Sequence, residues 1–248
     1  MSIKKILVSQ PKPSSDKSPY YDVAKKHGVE MVFRPFIKVE GLSSRDFRKQ
    51  RINLNEYTAV IFTARTAVDN FFRLCEEMRV SIPDTMKYFC TTESIALYLQ
   101  KYIVYRKRKI FVGKSGKLAD LLPLMQKHKN ENYLLVVSDV SNAGDARVLE
   151  DANFKVTRAI MYRTVSNDFT SDEPFDYDML VFFSPQGIDS LLKNFPSFEQ
   201  GNLVIAAFGV NSCKAVQEAG LRLDIQAPTE KARSMAEAID LYLSALPH

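Results

Sequence analysis

Apolar residues along this chain fall into short unbroken blocks. Most blocks are followed by a stretch in which apolar positions recur at helical spacing. Residues 179–183 (MLVFF) form such a block, the pattern of a strand buried on both faces. Ser184-Pro185 ends it, because serine can cap the next helix and proline fits its first position. Ile188, Leu191 and Leu192 then give that helix one apolar face. Residues 203–208 repeat the strand, Gly209 permits a tight turn, and Ser212 opens a helix carrying Ala215, Val216 and Ala219. Both turns would lie at the C-terminal ends of parallel strands, where open α/β sheets bind ligands. Each offers a hydroxyl and free backbone N–H groups, suited to carboxylates or phosphates.

The same arrangement is written earlier in the chain. Residues 59–72 (AVIFTARTAVDNFF) and 88–99 (YFCTTESIALYL) follow it, with Phe62 matching Phe182, Val68 matching Ile188 and Asp69 matching Asp189. A different unit also recurs: residues 5–38 resemble 134–163. The two kinds alternate, so the order is A, B, A, B. Any α/β chain echoes itself by repeating strand, turn and helix, but two unlike units in the same order read as an internal duplication.

Taken in order, the pattern predicts strands at 3–8, 29–33, 59–62, 88–90, 110–112, 133–137, 155–160 (running on to 165), 179–183, 203–208 and 222–225. Further helices are expected from Ser18-Pro19 to Gly28 and at 43–50, 66–78, 93–102, 118–127, 146–152 and 232–243. Strands alternating with helices imply parallel sheets covered on both faces. One A and one B together make a five-stranded, flavodoxin-like sheet. Each A can close on the B that follows it. Alternatively, the first A closes on the last B, and the chain crosses twice, near residues 34–40 and 161–167, both of which read as extended. Residues 166–174, polar and turn-rich, are the best linker candidate.

Composition narrows the chemistry more than the fold. The 248 residues suit one large domain or two small ones. The longest apolar runs are strand-sized, so no membrane span or signal peptide is expected. Cys75, Cys90 and Cys213 form no CxxC and read as reduced thiols, which points to the cytoplasm. His27, His128 and His248 share no metal-ligand spacing. A net charge of +5 favours anionic ligands only weakly. Residues 113–117 (GKSGK) look like a phosphate loop but lack its spacing. The basic run 105–109 (YRKRK) follows a helix C-terminus, where cations suit the dipole. It reads as a solvated face or a lure for an anionic substrate. No aromatic platform accompanies it, so nucleic acid is not an expected partner. Thr63, Arg65 and Thr66 follow the first B strand. Helix capping explains part of this cluster, but Arg65 has no capping role and is a ligand-contact candidate.

Taken together, FTARTAVDNFF, VTRAIMYRTV, FFSPQGIDSLL and AFGVNSCKAVQEAG resemble, in order and over almost the whole chain, the uroporphyrinogen-III synthase family. The resemblance implies an α/β fold of two flavodoxin-like parallel-sheet domains joined by a two-stranded hinge. One domain would be discontinuous, 1–36 with 167–248, and the other would hold 37–166. It also implies a monomeric, cofactor-free lyase of tetrapyrrole (haem) biosynthesis. Its substrate would be hydroxymethylbilane, a linear tetrapyrrole with eight carboxylates.

Position by position, Tyr162 matches the hinge tyrosine taken as a proton donor. Ser184, Gln186 and Gly187 fall in the Ser-Pro-x-Gly turn. Ser212 matches the hydroxyl residue after the glycine turn, and Thr63 and Arg65 match the first-domain turn, with Thr66 beside them. Ala64, Cys90, Glu93 and Gln10 depart from the family's usual residues, which bears on particular carboxylate contacts. Such a reaction needs positioning and help for a leaving hydroxyl, neither of which requires a metal. The rival reading is a two-domain ligand-binding or sensor module, which would leave the isomer ratio of a bilane cyclisation unchanged.

Overall fold

The computed structural model describes residues 3–141, 143–169 and 174–246. In chain order the elements are β1 (Lys5–Val8), α1 (Pro19–His27), β2 (Glu30–Phe33), β3 (Ile37–Gly41), α2 (Ser44–Arg48), β4 (Ala59–Phe62), α3 (Arg65–Glu77), β5 (Lys87–Cys90), α4 (Glu93–Tyr98) and β6 (Ile110–Val112). There follow α5 (Leu122–Met125), β7 (Tyr133–Ser138), α6 (Ala143–Glu150), β8 (Val156–Ser166), β9 (Met179–Phe182), α7 (Pro185–Asn194), β10 (Val204–Phe208), α8 (Val210–Glu218), β11 (Ile225–Ala227) and α9 (Met235–Ala245).

The chain divides into two compact units, Met1–Lys38 with Val165–His248, and Val39–Thr164. The first sheet has the order β11-β10-β9-β1-β2. Its neighbours are parallel throughout. The second has the order β3-β8-β7-β4-β5-β6. There β8, β7, β4, β5 and β6 are parallel neighbours. The B strands thus sit beside A strands in both sheets: β1 beside β9, and β7 beside β4. That junction is the point where strand order reverses, the usual ligand crevice of doubly wound sheets.

Unbroken apolar runs follow from helices on both faces. In β1, Ile6 and Val8 enter a core shared with α1 and α9, while Leu7 faces the core under α7 and α8. In the second unit, Val60 and Phe62 pack beneath α3 and α4, and Ala59 and Ile61 beneath α5 and α6. A parallel sheet with helices on both faces is as expected, and several local readings are corrected. The helix expected over 118–127 is broken into 3-10 turns (Leu118–Leu121 and Gln126–His128) around the four-residue α5. Pro123 has no N–H to donate to Ala119, so a continuous helix cannot cross it.

The last strand lies three residues later than expected, at Ile225–Ala227. Arg222 is held by the loop before β10: its N–H donates to Gln200 and its guanidinium to the Gly201 and Leu203 carbonyls. The final helix begins at Met235, after a reciprocal cap between Ser234 and Glu237. β3 is a strand of its own, where the sequence suggested only continued extension. Of the expected linker, residues 170–173 lie outside the described residues. Phe169 packs on Phe36 at 4.7 Å between ring centroids.

Because Val39–Thr164 holds a sheet with cores on both faces, that fragment is expected to unfold cooperatively on its own. Urea melts followed by circular dichroism test this. A fragment already unstructured in buffer would refute it.

Candidate active site

In the first unit, Ser184 takes an extended conformation (φ −152°, ψ 152°) and caps α7. Its Oγ accepts from the Gly187 N–H at 3.3 Å. The hydroxyl proton remains able to donate to an incoming carboxylate. Gly187 is buried, and a Cβ there would stand 3.1 Å from a ring carbon of Phe182. Glycine therefore lets the helix start close under that ring. Gln186 is half-buried on the same turn.

Ser212 corrects an expectation. α8 begins earlier, at Val210, with Gly209 as its N-cap at φ 86°. Glycine alone adopts such a conformation without strain, so the backbone makes this turn. Ser212 lies inside the first helical turn at 3% exposure. It offers less to a ligand than a serine opening the helix would.

In the second unit the N-cap of α3 is Ala64, which makes no side-chain cap. The capping expected of Thr63 and Thr66 fails because the cap position falls between them, on a methyl. Thr63 and Arg65 are exposed and Thr66 is half-buried. The Arg65 guanidinium carbon lies 5.4 Å from the Tyr98 ring centroid, a cation-over-ring contact that anchors the side chain. Tyr98 also donates to Asp69 at 2.9 Å, as do Lys101 (2.9 Å) and Tyr102. Burial acts to raise the Asp69 pKa, but the bonds from Tyr102, Lys101 and Tyr98 win and hold it below the usual carboxylate value.

Tyr162 sits on β8, half-buried against the core beneath α3 and α4. Its register partner is Ser138, across an irregularity after Val137. Its carbonyl accepts from the Asp139 N–H at 3.1 Å. Burial pushes its phenol pKa upward, so the group keeps its proton at neutral pH.

A cavity of about 560 Å³ opens beside the ends of β4 and β7, and Thr63 lines it. Arg158 of β8 and Ser141 also line it, whereas Arg65, Thr66 and Tyr162 do not. The GKSGK loop is closed on itself: Ser115 donates from its N–H and its hydroxyl to Asp120, so a carboxylate of the protein already fills the anion position.

The uroporphyrinogen-III synthase HemD family matches residues 18–237. The chain belongs to this family. Its fold is also that of the uroporphyrinogen-III synthetase of Helicobacter pylori, at 17% identity over 98% of this chain and 99% of that one, with a TM-score of 0.58. A mutant uroporphyrinogen III synthase of Thermus thermophilus is similar at 14% identity over 97% of each chain, TM-score 0.49. No curated protein matches by sequence.

Within this uroporphyrinogen-III synthase fold, two features escaped the sequence reading. One is the aromatic pair Phe183 and Phe208, with centroids 6.0 Å apart at the ends of β9 and β10. The doubled phenylalanine closing the strand was its only signal. The other is Arg158, a cation between two apolar positions of one strand face. No described helix is long and apolar enough to cross a membrane.

One prediction follows from the α7 cap. Ser184→Ala is expected to destabilise the fold by about 1 kcal/mol, the usual value of an N-cap. If the hydroxyl also donates to substrate, kcat/KM should fall by roughly fivefold, the size of one hydrogen bond. Abolished activity in a folded Ser184→Ala protein would instead assign the hydroxyl a direct chemical step.

Proposed function

We propose that this chain is a uroporphyrinogen-III synthase, a lyase that cyclises hydroxymethylbilane with inversion of ring D and loss of water. The observation that carries the reading is the family match across residues 18–237. Loss of the terminal hydroxyl leaves an electrophilic azafulvene. The ring D carbon bearing the chain attacks it, giving a spiro intermediate whose fragmentation and reclosure invert the ring. Left alone, the bilane closes without inversion, so the protein's task is to hold it for the other closure.

In this reading Thr63, Arg65 and Thr66, and the turn of Ser184, Gln186 and Gly187, receive substrate carboxylates, with Ser212 contributing through its helical turn. Tyr162 helps the hydroxyl leave. The enzyme is cytoplasmic and monomeric and works without a cofactor, nucleic acid or membrane. Its domains are 1–36 with 167–248, and 37–166, with hinge strands near 34–40 and 161–167. The two kinds of turn support this assignment, since each gives hydroxyls or N–H groups at the ends of parallel strands.

The test is direct. Hydroxymethylbilane is supplied, the product oxidised, and its isomers separated by chromatography. The inverted isomer should dominate. Only the uninverted isomer, formed at the spontaneous rate, would overturn the reading.

A further inference from the structure

The cavity beside β4 and β7 carries a cation where the sheet calls for an apolar residue. Side chains alternate along a strand. On β8, Ala159 and Met161 face the core beneath α3 and α4. Val156 and Ile160 face the opposite core, beneath α5 and α6. Arg158 stands between them and pairs in register with the buried Leu135.

Its guanidinium is held from one side only. Nη2 donates to the Ser141 carbonyl at 3.2 Å and to the Ser141 hydroxyl at 2.8 Å. Nε is buried with no partner. No carboxylate pairs with it among the described side chains. A half-buried charge without a counter-ion is costly. A fold that keeps one beside a cavity has left a place for an anion.

The rest of the cavity says what carries the anion. Leu135, Val137, Ala146 and Val148 form an apolar wall, and Thr63 and Ser141 add hydroxyl groups. The volume, about 560 Å³, falls within the range of small-molecule sites and far exceeds a bare carboxylate. The crevice also lies where the strand order reverses, between β7 and β4. Asp120, nearby in sequence to the lining residues 116–119, is occupied with Ser115.

We propose that this cavity binds a carboxylate borne on a flat apolar ring, with Arg158 as its counter-charge. Resting on the function proposed above, the ring is one carboxylate-bearing pyrrole of the bilane, and Arg158 determines its placement.

The probe is 3-(pyrrol-3-yl)propionate, a pyrrole bearing its carboxylate on a short arm as the bilane does, titrated into the full chain by calorimetry, with the matching propanamide (the carboxamide) as its uncharged twin. The carboxylate should bind saturably and the carboxamide roughly tenfold more weakly, the difference expected of one charged hydrogen-bonded contact. Arg158→Gln should weaken carboxylate binding about tenfold and Arg158→Lys should restore part of it. Thermal melts establish that each variant is folded. With hydroxymethylbilane, Arg158→Gln should raise KM by about tenfold while kcat stays within about twofold. Equal binding of the two probes, or unchanged carboxylate binding by folded Arg158→Gln, would overturn the cavity's assignment. Probe binding lost in Arg158→Gln with KM unmoved would overturn the bilane as its source and leave a free ring carboxylate. If the wild-type chain forms no inverted isomer, the functional reading fails, and the titration still decides the cavity.

Discussion

Tyr162→Phe is expected to slow bilane cyclisation by roughly 100-fold, the low end of what a positioned general acid contributes. Phenylalanine keeps the ring that packs on the core beneath α3 and α4, so the fold should survive and the loss should fall on kcat. A phenol is a weak acid, with a reference pKa of about 10. Burial pushes that of Tyr162 higher still. The sign matters: a raised phenol pKa keeps the proton on the oxygen through neutral and mildly alkaline pH. Any alkaline loss of activity below about pH 10 should therefore belong to another group. The pyrrole nitrogen already pushes the hydroxyl out, so the acid need only assist, and the loss should not be total. Stopped-flow rates and isomer ratios across pH are the measurement. A folded Tyr162→Phe enzyme with wild-type rate and isomer ratio would make the tyrosine structural.

Phe182→Ala should cost about 3–5 kcal/mol of stability. That is a large share of the 5–15 kcal/mol typical of whole proteins. Phe182 is fully buried and lies edge-on to Phe36 at 5.3 Å. Its ring is also the surface against which Gly187 closes the α7 turn. Truncation therefore leaves a void beneath the turn that holds Ser184, and the void should loosen the proposed carboxylate contacts as well as the core. Urea melts should show a lower midpoint with an unchanged slope. A loss below about 1 kcal/mol would mean that the site collapses around the smaller residue and that the ring is not what sets the turn.

The departures from the family pattern have a physical side. With alanine at the N-cap of α3, no hydroxyl competes there for the first-turn N–H groups. Cys90 and Cys75 are deeply buried, and burial pushes both thiols up to about 12, so neither is a nucleophile at neutral pH. Of the basic run, Arg106 and Lys109 reach Asp84 only at 3.8 and 3.6 Å. Loose pairs with so exposed a carboxylate contribute little to stability.

Much of this protein was legible in its sequence because the information was local. Strands β4 and β6 fall at the expected residues, since an apolar run bounded by polar turns has few other uses. The same holds for α1 and α7, whose starts are written as Ser-Pro. The recurring order of strand, turn and helix was legible for the same reason: each unit carries its own local signature.

What the chain did not disclose were properties that depend on a partner distant in sequence. Nothing in either A unit says which B it will pair with, and only the hydrogen-bonded register of β1 with β9 and of β7 with β4 decided it. Ser212 reads as a cap until Gly209, at positive φ, moves the helix start ahead of it. The displaced β11 depends on Arg222 finding acceptors in the loop before β10. Arg158 carries no signal of its own within VTRAIM. Only the sheet register, which sets it opposite the buried Leu135, puts it beside the cavity. Local sequence sets backbone preference and the period of the apolar pattern, whereas burial is a property of everything that packs on top.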